Sequence, residues 1–506
     1  MTPPKPRAEQ DAGRSAWLAG LTGLTGLTLV LLLTALITSQ GLTAPFDDSD
    51  QGWSGGYYGL AARNLARYPA GALLGAMCVE PGALVDAPLI YANHPPGVAW
   101  LVAAGFAVFG EGPLGARIGP WLLSIAAAGL AYGLLLRVLR RPLWAALGVA
   151  LAVTTPAWTY YGSLPDPQGA GVIFAIFGAC WAAAGWRLAG EPRARRRHAL
   201  LCAAALLVGF AFDWPSYFAA VLLGLWAWGQ PGGRRLAAGV AALTSASAAL
   251  TAAWTAAVYA RRGGGPDILE GLINRAGLKG LLGGGALADD VGNALTLSEL
   301  VLGIGRHHLD VGFAPVSLAG LAAGALLWRS RRSLAGLLLV PVAAGALHVL
   351  VFPQGAYVHP YWQLYLAAGL ALPVVWAACE VTPVRLRSGM VVVFLALNAA
   401  SGARAWMRAE VRWGWTAEQR EVFRDVGEAI RAATPPSARL VSGAQGHVAL
   451  DYYSDRKIAW SGAERGGEPW DGLIAPPGQA PLTTGAEARW GPPEALPHGW
   501  RLWLAR

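Results

Sequence analysis

Charge is scarce in this chain. Of its 506 residues only 14% are Asp, Glu, Lys or Arg, where a soluble domain carries about 25%. That excludes an ordinary soluble globule. Cysteine is scarce too: there are four, with Cys180, Cys202 and Cys379 in apolar stretches and only Cys78 in a polar one. Neither a disulfide framework nor a zinc-ligand spacing can be built from them. No basic run alternates with aromatics as base stacking requires, so no nucleic acid is expected as a partner.

What remains is apolar. The chain is 55% hydrophobic with a mean hydropathy of +0.41. The composition is that of an all-α polytopic membrane protein, with the lipid bilayer as its first partner. The apolar run Trp17 to Ile37 is too long for a signal-peptide core of about 7–15 residues, so it reads as a retained anchor. Apolar windows of spanning length predict helices near 16–39, 113–136, 142–160, 166–188, 198–213, 215–229, 236–259, 313–328, 333–352, 361–380 and 388–405. Asp213, Trp214 and Pro215 interrupt one long run and make the fifth and sixth the least secure.

The arginines orient these spans. Lys5, Arg7 and Arg14 precede the first. Later come Arg137, Arg140 and Arg141, then Arg187 with RARRRH at 193–198. Arg234 and Arg235 follow, then Arg329, Arg331 and Arg332, and last Arg385 and Arg387. The intervening loops GSLP, DWPS and PQGAYVHP carry neither Lys nor Arg. Alternation of this kind is the positive-inside pattern, with a cytoplasmic N-terminus and about eleven transmembrane helices. Arg404, Arg408 and Arg412, with Trp406, Trp413 and Trp415 among them, lie past the last span and suggest an interfacial amphipathic helix.

Three segments exceed the needs of a turn. Residues 40–112 form a first external loop and 260–312 a Gly-rich one. Residues 1–405 make up the membrane module, and 406–506 read as a small soluble α/β domain on the external side. In that domain Thr416 and Gln419 form a capping-box pattern. Val422, Phe423, Val426 and Ile430 follow at helical spacing, Pro435 and Pro436 stop the helix, and ARLVSG, RKIAWS and RLWLAR read as short strands. The glycines of GLTGLTGLT at 20–28 suggest a close-packing face or compositional drift.

The first loop carries the chemistry. In APFDDSDQGW, residues 44–53, three acids crowd together: Asp47, Asp48 and Asp50. Carboxylates this close repel one another, which points to a cationic, metal or proton-transfer role. A solvated turn is the alternative. YYGLAARNLARY at 57–68, with Arg63 and Arg67, predicts an amphipathic helix in the interface. A second helix is predicted from Pro95 to Gly110. Tyr91, Asn93 and His94 stand just ahead of it, where donors make an anion site. A base near a phosphate site suits transfer of a group from a lipid phosphate to a hydroxyl.

These residues resemble a family. FDDSDQG, Phe46 to Gly52, followed by Tyr57 and Tyr58, is similar to the acidic first-loop motif of GT-C glycosyltransferases. The likeness is to glycosyltransferase family 39, which holds protein O-mannosyltransferases and aminoarabinose transferases. YANHPP with Trp100 resembles their second loop motif, where Lys or His precedes Pro-Pro. Phe109, Gly110 and Arg117 match the Phe-Gly and the Arg that follow it. LPDPQ at 164–168 resembles the next external loop, and HPYW at 359–362 with Tyr365 the late His/Tyr motif.

The resemblance implies roles. Asp47 is the base and Asp48 stands where the family has Glu. The pair is Asp-Asp with Asp50 following, so Asp48 and Asp50 stay open as the base. Tyr91, His94 and Tyr361 bind the donor phosphate, with His94 in place of a Lys. Asp166, His359 and Arg63 support them. Simpler readings stand beside these. Asp166 could N-cap a helix beginning at Pro167, and His359 could be a satisfied interfacial residue. Asp213 could cap a break between spans, although an acid at membrane depth is a functional candidate. Arg306, His307 and His308 read as a solvated loop without a metal.

The resemblance therefore implies a GT-C fold in the inner (plasma) membrane. The enzyme would transfer a sugar from a polyprenyl-phosphate donor to a lipid, glycan or protein acceptor on the external face, with inversion. The residues assign no cofactor, and a divalent cation is left open. The alternative from another class is a polytopic transporter or flippase, which would show inverted repeats and mid-span acids; no such symmetry is visible. A non-catalytic lipid-linked scaffold is a third reading.

Overall fold

A computed structural model describes residues 7–47, 49–82, 90–91, 94–262, 287–288, 294–312, 314–329, 333–412, 417–442, 448–460, 470–478 and 492–504. Each of the eleven apolar stretches contains helix. Among the described residues six helices are long and apolar enough to cross a bilayer: Gly20–Thr38, Pro113–Leu139, Ala170–Leu188, Arg234–Ala260, Leu334–Val351 and Tyr361–Glu380. The other five are shorter or carry more charge, and Leu297–Asp310 with Pro315–Trp328 forms a pair bent by 101°. The protein is a multi-pass membrane protein.

Proline and capping chemistry set the breaks. The stretch expected at 142–160 is two helices, Pro142–Val153 and Pro156–Tyr161. Thr155 caps the second by accepting from Trp158 N at 3.3 Å, and Pro156 takes the first helical position, where its missing N–H costs nothing. The insecure run resolves into Pro192–Phe212 and Pro215–Trp228, parted at Asp213 and Trp214.

Ala170–Leu188 and Tyr361–Glu380 are interior helices, 78% and 83% buried, whereas Gly20–Thr38 is 11% buried. The outward leucines of that first helix, such as Leu24, Leu32 and Leu36, need no protein cover, because lipid is as apolar as they are. Of its repeated glycines, Gly26 makes the close approach: a Cβ there would lie 2.9 Å from Tyr132 Oη. That hydroxyl donates to Gly23 O at 2.7 Å.

Two expectations need correction. The helix Val384–Arg412 runs unbroken through Arg404, Arg408 and Arg412, so these arginines continue the last helix rather than starting a separate one. The first-loop helix is longer than expected, Asp50–Arg67, and does not lie with a free face on the membrane. Tyr58 and Leu60 through Asn64 are all buried, because the helix is packed between Gly97–Phe109 and a helix of the C-terminal domain, Val448–Ser454.

That domain is α/β. Its five strands run in the order Lys457–Trp460, Arg439–Ser442, Gly472–Ala475, Arg501–Leu504, Glu494–Ala495. The first three pair in parallel and the last two join antiparallel. Alternation places Val441, Leu473 and Trp503 on one face. Leu440, Ile474 and Leu502 join the buried Phe423, Val426 and Ile430 of the helix Ala417–Ala433 in the main core. Thr416 lies outside the described residues, so the capping box does too.

The domain docks on the first loop. Arg67 meets Asp455 through two bonds of 2.7 and 3.2 Å, and Gly82 N donates to Asp455 at 3.1 Å. Lys457 Nζ lies 3.0 Å from Glu80. First loop and C-terminal domain therefore sit at the same end of the helices.

Candidate active site

The acidic stretch is held by its own helix. Ser49 N-caps Asp50–Arg67 by accepting from Gly52 N at 3.1 Å. Asp47 Oδ1 accepts in turn from Ser49 N at 3.0 Å and from the Ser49 hydroxyl. Asp47 is buried. It can lie this close because residue 52 is Gly: a Cβ there would stand 2.1 Å from Asp47 N and 2.3 Å from Asp47 O. Asp48 and the side chain of Asp50 lie outside the described residues, as does Asn93.

From Asp47 the helix presents an aromatic face. Trp53 stacks on Tyr57 with centroids 4.8 Å apart, Tyr57 meets Tyr91 edge-on at 5.5 Å, and Tyr91 lies 5.6 Å from the ring of His94. Tyr91 is delivered by a short antiparallel pairing, Met77–Cys78 with Ile90–Tyr91. Asn64 ties that segment to the helix, donating to Cys78 O at 2.9 Å and Glu80 O at 2.7 Å.

His94 is the junction. Its Nδ1 donates to Asp213 Oδ1 at 2.6 Å, and both side chains are buried. An opposite charge this close favours the imidazolium. Gln168 Nε2 lies 3.3 and 3.4 Å from the two ring nitrogens. Asp166, two residues earlier, is buried and accepts from Gln168 N at 2.9 Å. Asp166 therefore shapes a turn: the helix begins at Ala170, not Pro167, and its cap residue is Gly169. Burial pushes the Tyr58 phenol well up, and Tyr91, Asp166, Tyr361 and Tyr57 add to it, so these groups face one another.

A second cluster completes the floor. Tyr361 Oη lies 3.0 Å from His359 Nδ1, and its ring is 5.8 Å from Tyr161. Trp362 packs 5.4 Å from His359 and 4.6 Å from the buried His348, which bonds the Tyr365 hydroxyl.

Arg63 is placed elsewhere. It is buried at the seam with the C-terminal domain, donating to Glu111 Oε2 at 2.7 Å and Tyr452 O at 2.8 Å. Arg117, matched on sequence alone, holds the turn before the acids by donating to Gly41 O at 2.6 Å and Ala44 O at 2.5 Å. Among the described residues no three His, Cys, Asp or Glu side chains gather as metal ligands.

Beside His94 opens an apolar cavity of about 300 Å³, lined by Pro95, Pro96, Trp100, Phe210, Leu250 and Trp254 among others. Sequence reasoning missed two contributors. Asp213 was weighed only as a cap or an unassigned acid, although its place between two apolar runs was a signal. Gln168 lay inside a recognised motif without a role.

The chain has a GT-C fold in its ArnT-like form. ArnT from Cupriavidus metallidurans, solved bound to undecaprenyl phosphate, matches it with a TM-score of 0.60 at 13% identity, over 97% of this chain and 98% of that one. The archaeal oligosaccharyltransferase AglB from Archaeoglobus fulgidus, solved with an inhibitory peptide and a dolichol-phosphate, matches with a TM-score of 0.55 at 13% identity. That match covers 90% of this chain and 69% of that one. No family model and no curated protein matches the sequence.

Proposed function

We propose that this protein is a membrane glycosyltransferase that takes a sugar from a polyprenyl-phosphate donor. The observation that carries the reading is the buried pairing of His94 with Asp213, reached from Asp47 along one aromatic face and next in sequence to Pro95 and Pro96, which line an apolar cavity. A cationic imidazole next to an apolar cavity of about 300 Å³, room for the first isoprene units, suits a phosphate with an isoprenoid tail. The lipid phosphates bound by the ArnT and AglB structures support the same donor class.

The acceptor hydroxyl oxygen bonds to the anomeric carbon as the bond from that carbon to the phosphate oxygen breaks. Asp47 takes the hydroxyl proton. The phosphate leaves with the electron pair as polyprenyl phosphate, and His94, with Tyr91 and Tyr361, meets its growing charge. His94 Nδ1 is held by Asp213 and Nε2 lies 3.4 Å from Gln168 Nε2, so the phosphate meets the charge of the imidazolium beside Gln168. Asp48 and Asp50 hold the acceptor, while Asp166 and His359 fix the walls. Arg63 supports the site from the seam. The acceptor is a lipid, glycan or protein on the external face of the inner membrane. The reading keeps about eleven crossings with the N-terminus cytoplasmic, and places residues 406–506 outside.

The test uses the purified full chain in detergent with synthetic polyprenyl-phosphate sugars (mannose, glucose, arabinose and aminoarabinose) and a cell-envelope extract as acceptor. The readout is release of polyprenyl phosphate. Asp47→Asn keeps the shape and removes the base, so turnover should drop about 10²-fold or more with donor affinity retained. Wild-type turnover in Asp47→Asn would remove Asp47 from the mechanism.

A further inference from the structure

We infer that Tyr453, on the C-terminal domain, is a positioning residue for Asp47, so that the soluble domain completes the active site instead of merely covering it. The inference rests on the reading of Asp47 as the base.

Phe46, directly before Asp47, is fully buried in a segment without helix or strand. Its amide has no ladder to join, and a buried N–H without a partner costs about 1–3 kcal/mol. Tyr453 supplies that partner: Phe46 N donates to its hydroxyl at 2.9 Å across 407 residues of sequence. The Phe46 ring is fixed as well. Tyr452 meets it edge-on at 4.8 Å, and the Arg117 guanidinium lies 5.1 Å from its centroid. On the remaining side a Cβ at Gly55 would stand 2.3 Å from the ring. The peptide before the base is therefore pinned by a membrane helix through Arg117 and by the soluble domain through Tyr453.

The helix that delivers Tyr453 is itself clamped to the first loop. Arg63 donates to Tyr452 O and lies 4.2 Å from the centre of that ring. Arg67 holds Asp455, the residue just past the helix. Burial pushes the Tyr453 phenol up to about 12, although the Phe46 amide, Arg117 and Arg424 pull it down. It stays a neutral acceptor at working pH.

Tyr453→Phe deletes one oxygen and keeps the ring. With the same donor panel, we expect kcat to fall about tenfold, since small misplacements of a reacting group cost up to about 10²-fold. Donor KM should stay within about twofold, and the melting temperature should fall by no more than a few degrees, as one lost buried hydrogen bond implies. Arg67→Gln loosens the clamp from its other end and should lower kcat in the same direction, again at constant KM. Asp47→Asn runs alongside. If Asp47→Asn loses turnover while Tyr453→Phe and Arg67→Gln keep wild-type kcat, positioning by the soluble domain is overturned and the base stands. If Tyr453→Phe raises donor KM as much as it lowers kcat, or is partly unfolded at the assay temperature, its role is structural and the inference falls. If Asp47→Asn itself keeps turnover, the base reading fails first and the inference with it.

Discussion

Replacing Asp213 with Asn separates a charged phosphate site from a packing pair. The carboxylate and imidazole are 2.6 Å apart and both are buried. At an effective dielectric of 20, two unit charges at that distance attract by roughly 6 kcal/mol. Desolvation offsets most of this, and a charge-assisted hydrogen bond nets about 1.5–3 kcal/mol. At 1.4 kcal/mol per factor of ten, Asp213→Asn should weaken binding of undecaprenyl phosphate about 10- to 100-fold near pH 7.5. The sign follows from the proton. Without the carboxylate, nothing offsets the burial that disfavours a charged His94, so the affinity gap to wild type should narrow only as pH falls. In a His94→Lys background the charge persists across this range, so adding Asp213→Asn should not change the pH profile of binding, the phosphate's own second ionisation near about 6 being common to both variants. Titration of the purified chain with undecaprenyl phosphate in detergent, from pH 5.5 to 8.5, reads all of this. Equal affinity of wild type and Asp213→Asn throughout, or a gap that acid does not narrow, would refute the argument.

Further outcomes are expected. His94→Ala should weaken undecaprenyl phosphate binding while His94→Lys retains much of it, and equal affinities would remove His94 from the phosphate site. Gly52→Ala should be destabilising and nearly inactive, although Ala usually improves a helix interior by about 0.5–1 kcal/mol, because its Cβ would strike Asp47 backbone atoms; normal melting and turnover would contradict the close approach. Burial alone would raise the Asp455 carboxyl, but Arg67, the Gly82 amide and Arg63 outweigh it and hold it below its ordinary 3.8. A depressed carboxyl contributes fully above the ordinary value and loses its contribution as pH falls through the folded one, so seam protection from proteolysis should fall below about pH 4 and Asp455→Asn should abolish that dependence. Cysteines placed at the exposed Ala72 and Ser437 should both react with a membrane-impermeant reagent from the external side; labelling of one alone would contradict a shared side.

The local features of this chain were legible from its residues. The run Trp17 to Ile37 lies inside a helix of 32 residues, and the interruption at Asp213–Pro215 is a real break. ARLVSG, RKIAWS and RLWLAR each contain a strand. Apolar length, proline at a first turn and alternation of side chains act within a few residues, so sequence alone determines them. The helix at 57–68 was misjudged for the same reason: its polar face looked solvated, and only packing against Val448–Ser454 buries Arg63, as the segment Met77 to Glu80 buries Asn64.

Tertiary structure decided the partners. Asp213 meets His94 across 119 residues, and no spacing rule relates an acid between two spans to a histidine in the first loop. Tyr453 reaches Phe46 from the far end of the chain. A buried charge or amide must find its complement wherever packing brings one, because leaving it unpaired costs more than the local chain can offset. The acids and histidines that carry the proposed chemistry were visible in the sequence. Which group charges His94, and which domain holds the peptide before Asp47, became visible only once the helices had packed.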